Sequence, residues 1–328
     1  EDQNSSPSTD TTMLTLLQLL SAGLMPAPCQ VGSRGGAPRM LLSEHNQRAE
    51  RPSAGRPMVE RHSAPLMPLR DYVRKEDPEF TLISTELLSQ LLGTALSPSV
   101  AKPLPPLRNR YFGLRHGQSE PNLTGVISSD PAVGTVEHGL TPLGRLQSRR
   151  VGTLLVDLVG RESLSDIFFY SSDFTRALET AQEASNAVAN ILAFEQGLQS
   201  DEELPPGLRE GVRYTSLLRE RFFGEIDGTS LMNYNHVWPR DLVSASHREF
   251  GVEPVEEVVE RVRQFVTEME QTHKGQCIVL VSHADTLQIA QTYIAGTDPR
   301  TFSLYRFTNA EVREFHQNVQ SLPMPSPM

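Results

Sequence analysis

Cysteine is nearly missing from this chain, which has only Cys29 and Cys277 in 328 residues. Two such residues cannot build a disulfide framework, and neither stands in a CxxC-like spacing. That argues against a thiolate zinc site and fits a reducing, cytoplasmic compartment. Positive charge is scarce too, with 30 Lys and Arg against 40 Asp and Glu and a net charge of −10. A general nucleic-acid binder shows a basic face, so no nucleic-acid partner is expected. Long apolar runs are lacking as well. The stretch "MLTLLQLLSAGLM" (13–25) is too short to span a bilayer, and no segment qualifies as transmembrane. It reads instead as a signal-like or transit-like segment, which makes organelle targeting by the N-terminal extension the alternative to a cytoplasmic location. Against that alternative, Glu1, Asp2 and Asp10 are acidic where a targeting signal carries positive charge.

What is present suits a folded domain, with 38% hydrophobic and 21% charged residues. Proline is unevenly spread, with 13 of 24 prolines in residues 1–107. Stretches such as "GSRGGAPR" and "AKPLPPLR" interrupt regular hydrogen bonding, so 1–107 reads as a weakly ordered extension. Its best helical candidate is 80–96, with Phe80, Ile83, Leu87, Leu88, Leu91 and Leu92 on one face. A domain over 108–318 and a tail over 319–328 follow.

From residue 108 onward, short apolar runs alternate with helical patterns. Strands are expected within 110–117, over Ile167–Tyr170 and over Cys277–Val281. Helices are expected over 141–160, from Phe174 to about 192, over 254–273 and from about Thr286. Pro142 and Pro254 suit first-turn positions. Apolar runs without polar alternation belong to strands covered on both faces. The fold class is therefore α/β, a three-layer α/β/α sandwich around a mostly parallel sheet.

Ligands of such sheets bind beyond the carboxyl ends of the strands. Arg115 and His116 end the first strand, Arg176 follows the second, and His283 ends the third. A single histidine at a strand end is usually structural. Two at matching positions, with buried arginines that need an anionic partner, point to a phosphate site. A neutral imidazole can attack a phosphoryl group, the arginines can stabilise its oxygens, and a carboxyl group can protonate the leaving oxygen. On this reading alone, Glu220 in "LLRERFFGEIDG" is one acid among many. A dinuclear metal site built on His116, His283 and nearby acids is the competing reading, although these loops offer few converging carboxylates.

"LRHGQSEPN" (114–122) resembles the signature of the histidine phosphatase superfamily, the phosphoglycerate mutase-like enzymes. "GLTPLGRLQS" (139–148), "SSDFTRALETA" (171–181), "LRERFFG" (218–224) and "VSHADTLQ" (281–288) are similar to the family's later elements, in the same order. The resemblance covers about 108–310 and implies that fold. It also implies His116 as phosphoryl acceptor, with Arg115, Arg176, His283 and the Asn122 amide around the phosphate. The resemblance further implies that the backbone N–H of Ala284 lies near the phosphate and that Glu220 is proton donor and then base. No cofactor and no metal are implied.

Some positions depart from the pattern. Gln118 stands where many relatives carry Glu, Ala284 replaces a common Gly, and Phe223 stands where mutases place Tyr. The segment 225–251 lacks the mutases' Lys, and offers Arg240, Arg248, His236 and His247 instead. These departures favour a phosphomonoester hydrolase over a mutase-type phosphotransferase. A non-catalytic phosphate-binding module is the third reading. The expected partner is a small phosphorylated substrate, such as a sugar phosphate, or a phosphoprotein, and a homodimer is compatible with the sequence.

Overall fold

The computed structural model of the chain describes residues 102–325. The signal-like or transit-like stretch 13–25 and the expected helix at 80–96 lie outside the described residues. The main elements are β1 (Arg110–Arg115), α1 (Pro142–Val159), β2 (Ile167–Ser172), α2 (Thr175–Gln196), β3 (Arg213–Thr215), α3 (Val255–Thr272), β4 (Cys277–Ser282), α4 (Ala284–Ile294) and β5 (Val312–Phe315), with short helical turns between them. The sheet order is β3-β2-β4-β1-β5. All neighbours pair in parallel except β1 with β5.

Each central strand alternates its side chains between two cores. Tyr111, Phe168, Tyr170, Ile278 and Leu280 point to the side covered by α3 and α4. Phe112, Leu114, Ile167, Phe169, Cys277, Val279 and Val281 point to the side covered by α1 and α2. Burial on both faces is why β2 is apolar over Ile167–Tyr170 and β4 over Cys277–Val281. Helix α3 buries Val255, Val258, Val259, Val262, Phe265, Val266 and Met269, an i, i+3, i+4 stripe, and turns Glu257, Glu260 and Glu268 to solvent. Among the described residues, no helix is long and apolar enough to cross a membrane.

Details differ from the sequence expectation at the ends of elements. β2 and β4 run on to Ser172 and Ser282, and α4 starts at Ala284, two residues before Thr286. Pro142 is the first helical residue of α1, but Pro254 is the N-cap of α3, one position earlier than expected. Strands β3 and β5 were not anticipated. Of the extension, only 102–107 lie among the described residues, and Leu104 and Leu107 pack against the α3/α4 core. The Tyr293 hydroxyl also donates to the Lys102 carbonyl.

Candidate active site

The parallel pairing of β1 with β4 sets Arg115 opposite Ser282, so His116 and His283 leave the sheet side by side. The His116 amide donates to the Ser282 carbonyl at 3.0 Å, and the two imidazole centroids are 5.2 Å apart. The chain after His116 then runs tightly against the start of α1. A Cβ on Gly117 would lie 2.5 Å from the Gly144 carbonyl oxygen, and one on Gly144 would lie 2.0 Å from that of Gln118. Gly117 and Gly144 are thus required by a close backbone approach. Thr141 caps α1 with its hydroxyl oxygen, which accepts from the Gly144 amide and donates to Gln118 Oε1. Gln118 is therefore an anchor for the loop that carries the histidine.

His116 is buried, and its Nδ1 lies 2.7 Å from the carbonyl oxygen of Gly117. A carbonyl only accepts, so Nδ1 carries the proton and Nε2 presents its lone pair. Arg176 Nε donates to that Nε2 at 3.3 Å. Burial, and then the charges of Arg176 and Arg115, hold the His116 pKa well below the usual histidine range. Arg176 is fixed from behind by the Ser128 carbonyl at 2.8 Å and the Ser128 hydroxyl at 3.3 Å. Burial pushes its own pKa down to about 10. Thr180, one turn further along α2, accepts from the Gly117 amide and donates to the Arg176 carbonyl.

His283 is fully buried beneath an edge-on Phe174 ring. Its Nε2 lies 2.9 Å from Ser172 Oγ. That hydroxyl also accepts from the Phe174 amide. His283 Nδ1 and Arg115 Nε are both buried without a hydrogen-bond partner among the described residues. A buried donor such as Arg115 Nε costs about 1–3 kcal/mol when unpaired, and a group of anionic oxygens relieves that cost. Arg115 is held by one bond, from its guanidinium to the Phe307 carbonyl at 2.6 Å.

Glu220 is 8% exposed and lies close enough to Arg115 and Arg176 to act on both electrostatically. Its Oε1 accepts from the amides of Arg221 and Thr286. Burial still raises its pKa above the normal carboxylate range, since desolvation outweighs the arginines and the amides. Arg221 next to it is completely buried in a bidentate pair with Asp241 at 2.6 and 2.7 Å, and it also donates to the Glu253 carbonyl. This pair fixes the segment that carries Glu220. His247 joins it through Asp241.

The structure therefore brings Arg115, His116, Arg176, Glu220 and His283 together. Asn122 reaches them less directly. Its Oδ1 accepts from the Ser119 amide and hydroxyl and from Asn309 Nδ2, which also donates to the His116 carbonyl. With the oxygen so occupied, the Asn122 amide N–H groups are the end left to bind. Ala284 is the first residue of α4, where backbone N–H groups favour an anion. Of the polar residues singled out in 225–251, Arg248 lines a cavity beside Glu220. Arg240 pairs with Glu249, His247 belongs to the buried network, and the His236 ring lies edge-on to Phe250. Among the described residues, no group of three or more His, Cys, Asp or Glu could hold a metal ion.

Ser128 and Asn309 escaped the sequence reading, because single polar residues in loops carry no spacing signal, whereas Ser172 and Thr180 fall within the 171–181 motif but were given no role there. Tyr234 was also missed. It stacks on Trp238 at 4.8 Å and meets Phe223 edge-on. Burial, then the charge of Glu220, holds its phenol protonated.

Two histidines and two arginines thus converge at the carboxyl edge of an α/β sheet, an arrangement suited to binding an anion. The family model for the histidine phosphatase superfamily (branch 1) matches residues 112–321, and the chain belongs to that superfamily. It is 26% identical over 195 residues to a probable phosphatase of Schizosaccharomyces pombe, covering 59% of this chain and 77% of that protein. It is 28% identical over 182 residues to a 2,3-bisphosphoglycerate-dependent phosphoglycerate mutase of Rhizobium etli, covering 53% and 75%. Among solved structures, a mycobacterial glucosyl-3-phosphoglycerate phosphatase complexed with VO3 matches with a TM-score of 0.46 and 23% identity, over 62% of this chain and 91% of that one.

Proposed function

We propose that the chain is a phosphomonoester hydrolase that works through a phosphohistidine at His116 without a metal ion. The observation that carries this reading is geometric: buried His116 presents an unprotonated Nε2 beside Arg176 and His283, and the buried Glu220 carboxyl group stands close to the same arginines. Burial and the arginine charges hold the His116 pKa well below the histidine range, and burial raises that of Glu220 above the carboxylate range. In the ordinary order of pKa values, a carboxyl group loses its proton before an imidazole does. Here burial and the arginines lower His116, while burial raises Glu220 against the arginines, so the two pKa values move toward each other.

Nε2 of His116 attacks phosphorus, the bond to the ester oxygen breaks, and that oxygen takes the Glu220 proton. Arg115, Arg176 and His283 stabilise the charge on the transferring oxygens. Glu220, now a carboxylate, takes a proton from water as the water attacks the phosphohistidine. Phosphate leaves, and both groups return to their starting states. Hydrolysis is favoured over mutase chemistry because Phe223, standing where mutases place Tyr, is fully buried against Tyr234 and offers no hydroxyl to a substrate. The test is release of p-nitrophenol from p-nitrophenyl phosphate by the full chain in the presence of a chelator. Turnover that His116→Ala abolishes is expected, and turnover that survives this change, or that needs added metal, contradicts the proposal.

A further inference from the structure

Glu220 forms part of the wall of a cavity of about 360 Å³ whose other lining residues come from 129–131, 216–222 and 248–261. None of Arg115, His116, Arg176 or His283 lines it. Resting on the hydrolase reading, this fixes what the cavity receives. The ester oxygen faces Glu220, and Glu220 is shared by the phosphate site and this cavity, so a leaving group that extends past the ester oxygen has this cavity as its neighbouring space.

Three arginines line it, which at first suggests a second anion. Each of them is already neutralised. Arg219 makes a bidentate pair with Asp173 at 2.8 and 2.6 Å. Arg261 grips both oxygens of Glu253 at 2.8 and 3.2 Å. Arg248 pairs with Glu257. Glu253 and Glu257 themselves line the cavity, so an anionic leaving group would meet two carboxylates and no lining arginine without a carboxylate partner.

The same wall offers what a neutral, hydroxyl-bearing group needs. Glu257 binds Arg248 through one oxygen, which leaves its other oxygen as an acceptor. Ser216 adds a hydroxyl, and Phe222, 40% exposed, adds a bare aromatic face beside Pro131 and Val252. We infer that the leaving group is an uncharged polyhydroxy ring, so that the substrate is a neutral sugar monophosphate rather than a bisphosphate or a phosphorylated acid.

The test is phosphate release by the full chain from glucose 6-phosphate, mannose 6-phosphate and ribose 5-phosphate, compared with 3-phosphoglycerate and fructose 1,6-bisphosphate. The best neutral sugar phosphate should exceed both polyanions in kcat/KM by at least about tenfold, since like charges placed together discriminate to that order. Glu257→Gln releases Arg248 from neutralisation, and should narrow this ratio by about threefold, the size expected of a half-exposed ion pair. A polyanion that matches or exceeds the sugar phosphates overturns the inference, as does a ratio that Glu257→Gln leaves unmoved. p-Nitrophenyl phosphate is the reference: its turnover alongside a polyanion preference refutes the leaving-group assignment alone. No turnover of any ester refutes the hydrolase reading, and this inference with it.

Discussion

Replacing Glu220 by Gln isolates one proton. The carboxyl group holds its place through Oε1, which accepts from the amides of Arg221 and Thr286 at 3.0 and 3.3 Å. A glutamine oxygen accepts the same bonds, and Arg221 stays locked to Asp241, so stability should change by less than about 1 kcal/mol. What disappears is the donor to the leaving oxygen, a loss of about 10²–10⁴-fold where that oxygen needs protonation. An alkyl phosphate needs it, whereas p-nitrophenolate leaves unaided. The assay is the ratio of variant to parent turnover for glycerol phosphate and for p-nitrophenyl phosphate, with urea unfolding as the control for folding. Equal losses on the two esters would refute the assignment and reduce Glu220 to a shaping role. The pH profile gives a second reading of the same change. His116 must be unprotonated to attack, and its depressed pKa places the acid limb below the usual histidine value. Glu220 must be protonated to donate, and its raised pKa places the basic limb above the usual carboxylate value. Glu220→Gln should abolish the basic limb and keep the acid one. Asp285, buried nearby and pushed up to about 8 by desolvation and then by the Glu220 charge, is the group to suspect if a basic limb persists.

Two further outcomes test the supporting structure. Arg221→Met strands the buried Asp241 carboxylate with only His247 beside it, and should cost about 3–5 kcal/mol in urea unfolding; a loss under 1 kcal/mol would mean that the pair does not hold the Glu220 segment. Gly144→Ala drives a methyl group toward the Gln118 carbonyl, and should cost about 1–3 kcal/mol and slow p-nitrophenyl phosphate turnover, because the backbone that must yield follows His116 directly; a fully active, equally stable variant would contradict that account.

The central strands and long helices were legible because each is buried in a regular pattern. β2 and β4 carry unbroken apolar runs over Ile167–Tyr170 and Cys277–Val281, and α3 keeps a clean helical stripe. β3 has only three residues, none of them buried, and β5 carries Arg313 and Glu314 in its four, so neither shows the apolar run of a covered strand. At the site, motif residues were found at the ends of strands. The groups that orient them were not, because Ser128 lies 48 residues from Arg176, and Asn309 lies 193 from His116. Nor could spacing show that the arginines near Glu220 are neutralised. That depends on Asp173 and Glu257 being folded against them.

The central claim is that His116 carries the phosphoryl group. It is tested most directly by rapid acid-free quenching of the full chain during turnover of a 32P-labelled phosphomonoester, followed by peptide mapping of the label. The account predicts a label that is stable to alkali, lost in acid and located on His116, and absent from His116→Ala. A label on any other residue, or none on the burst timescale of an active enzyme, would contradict it.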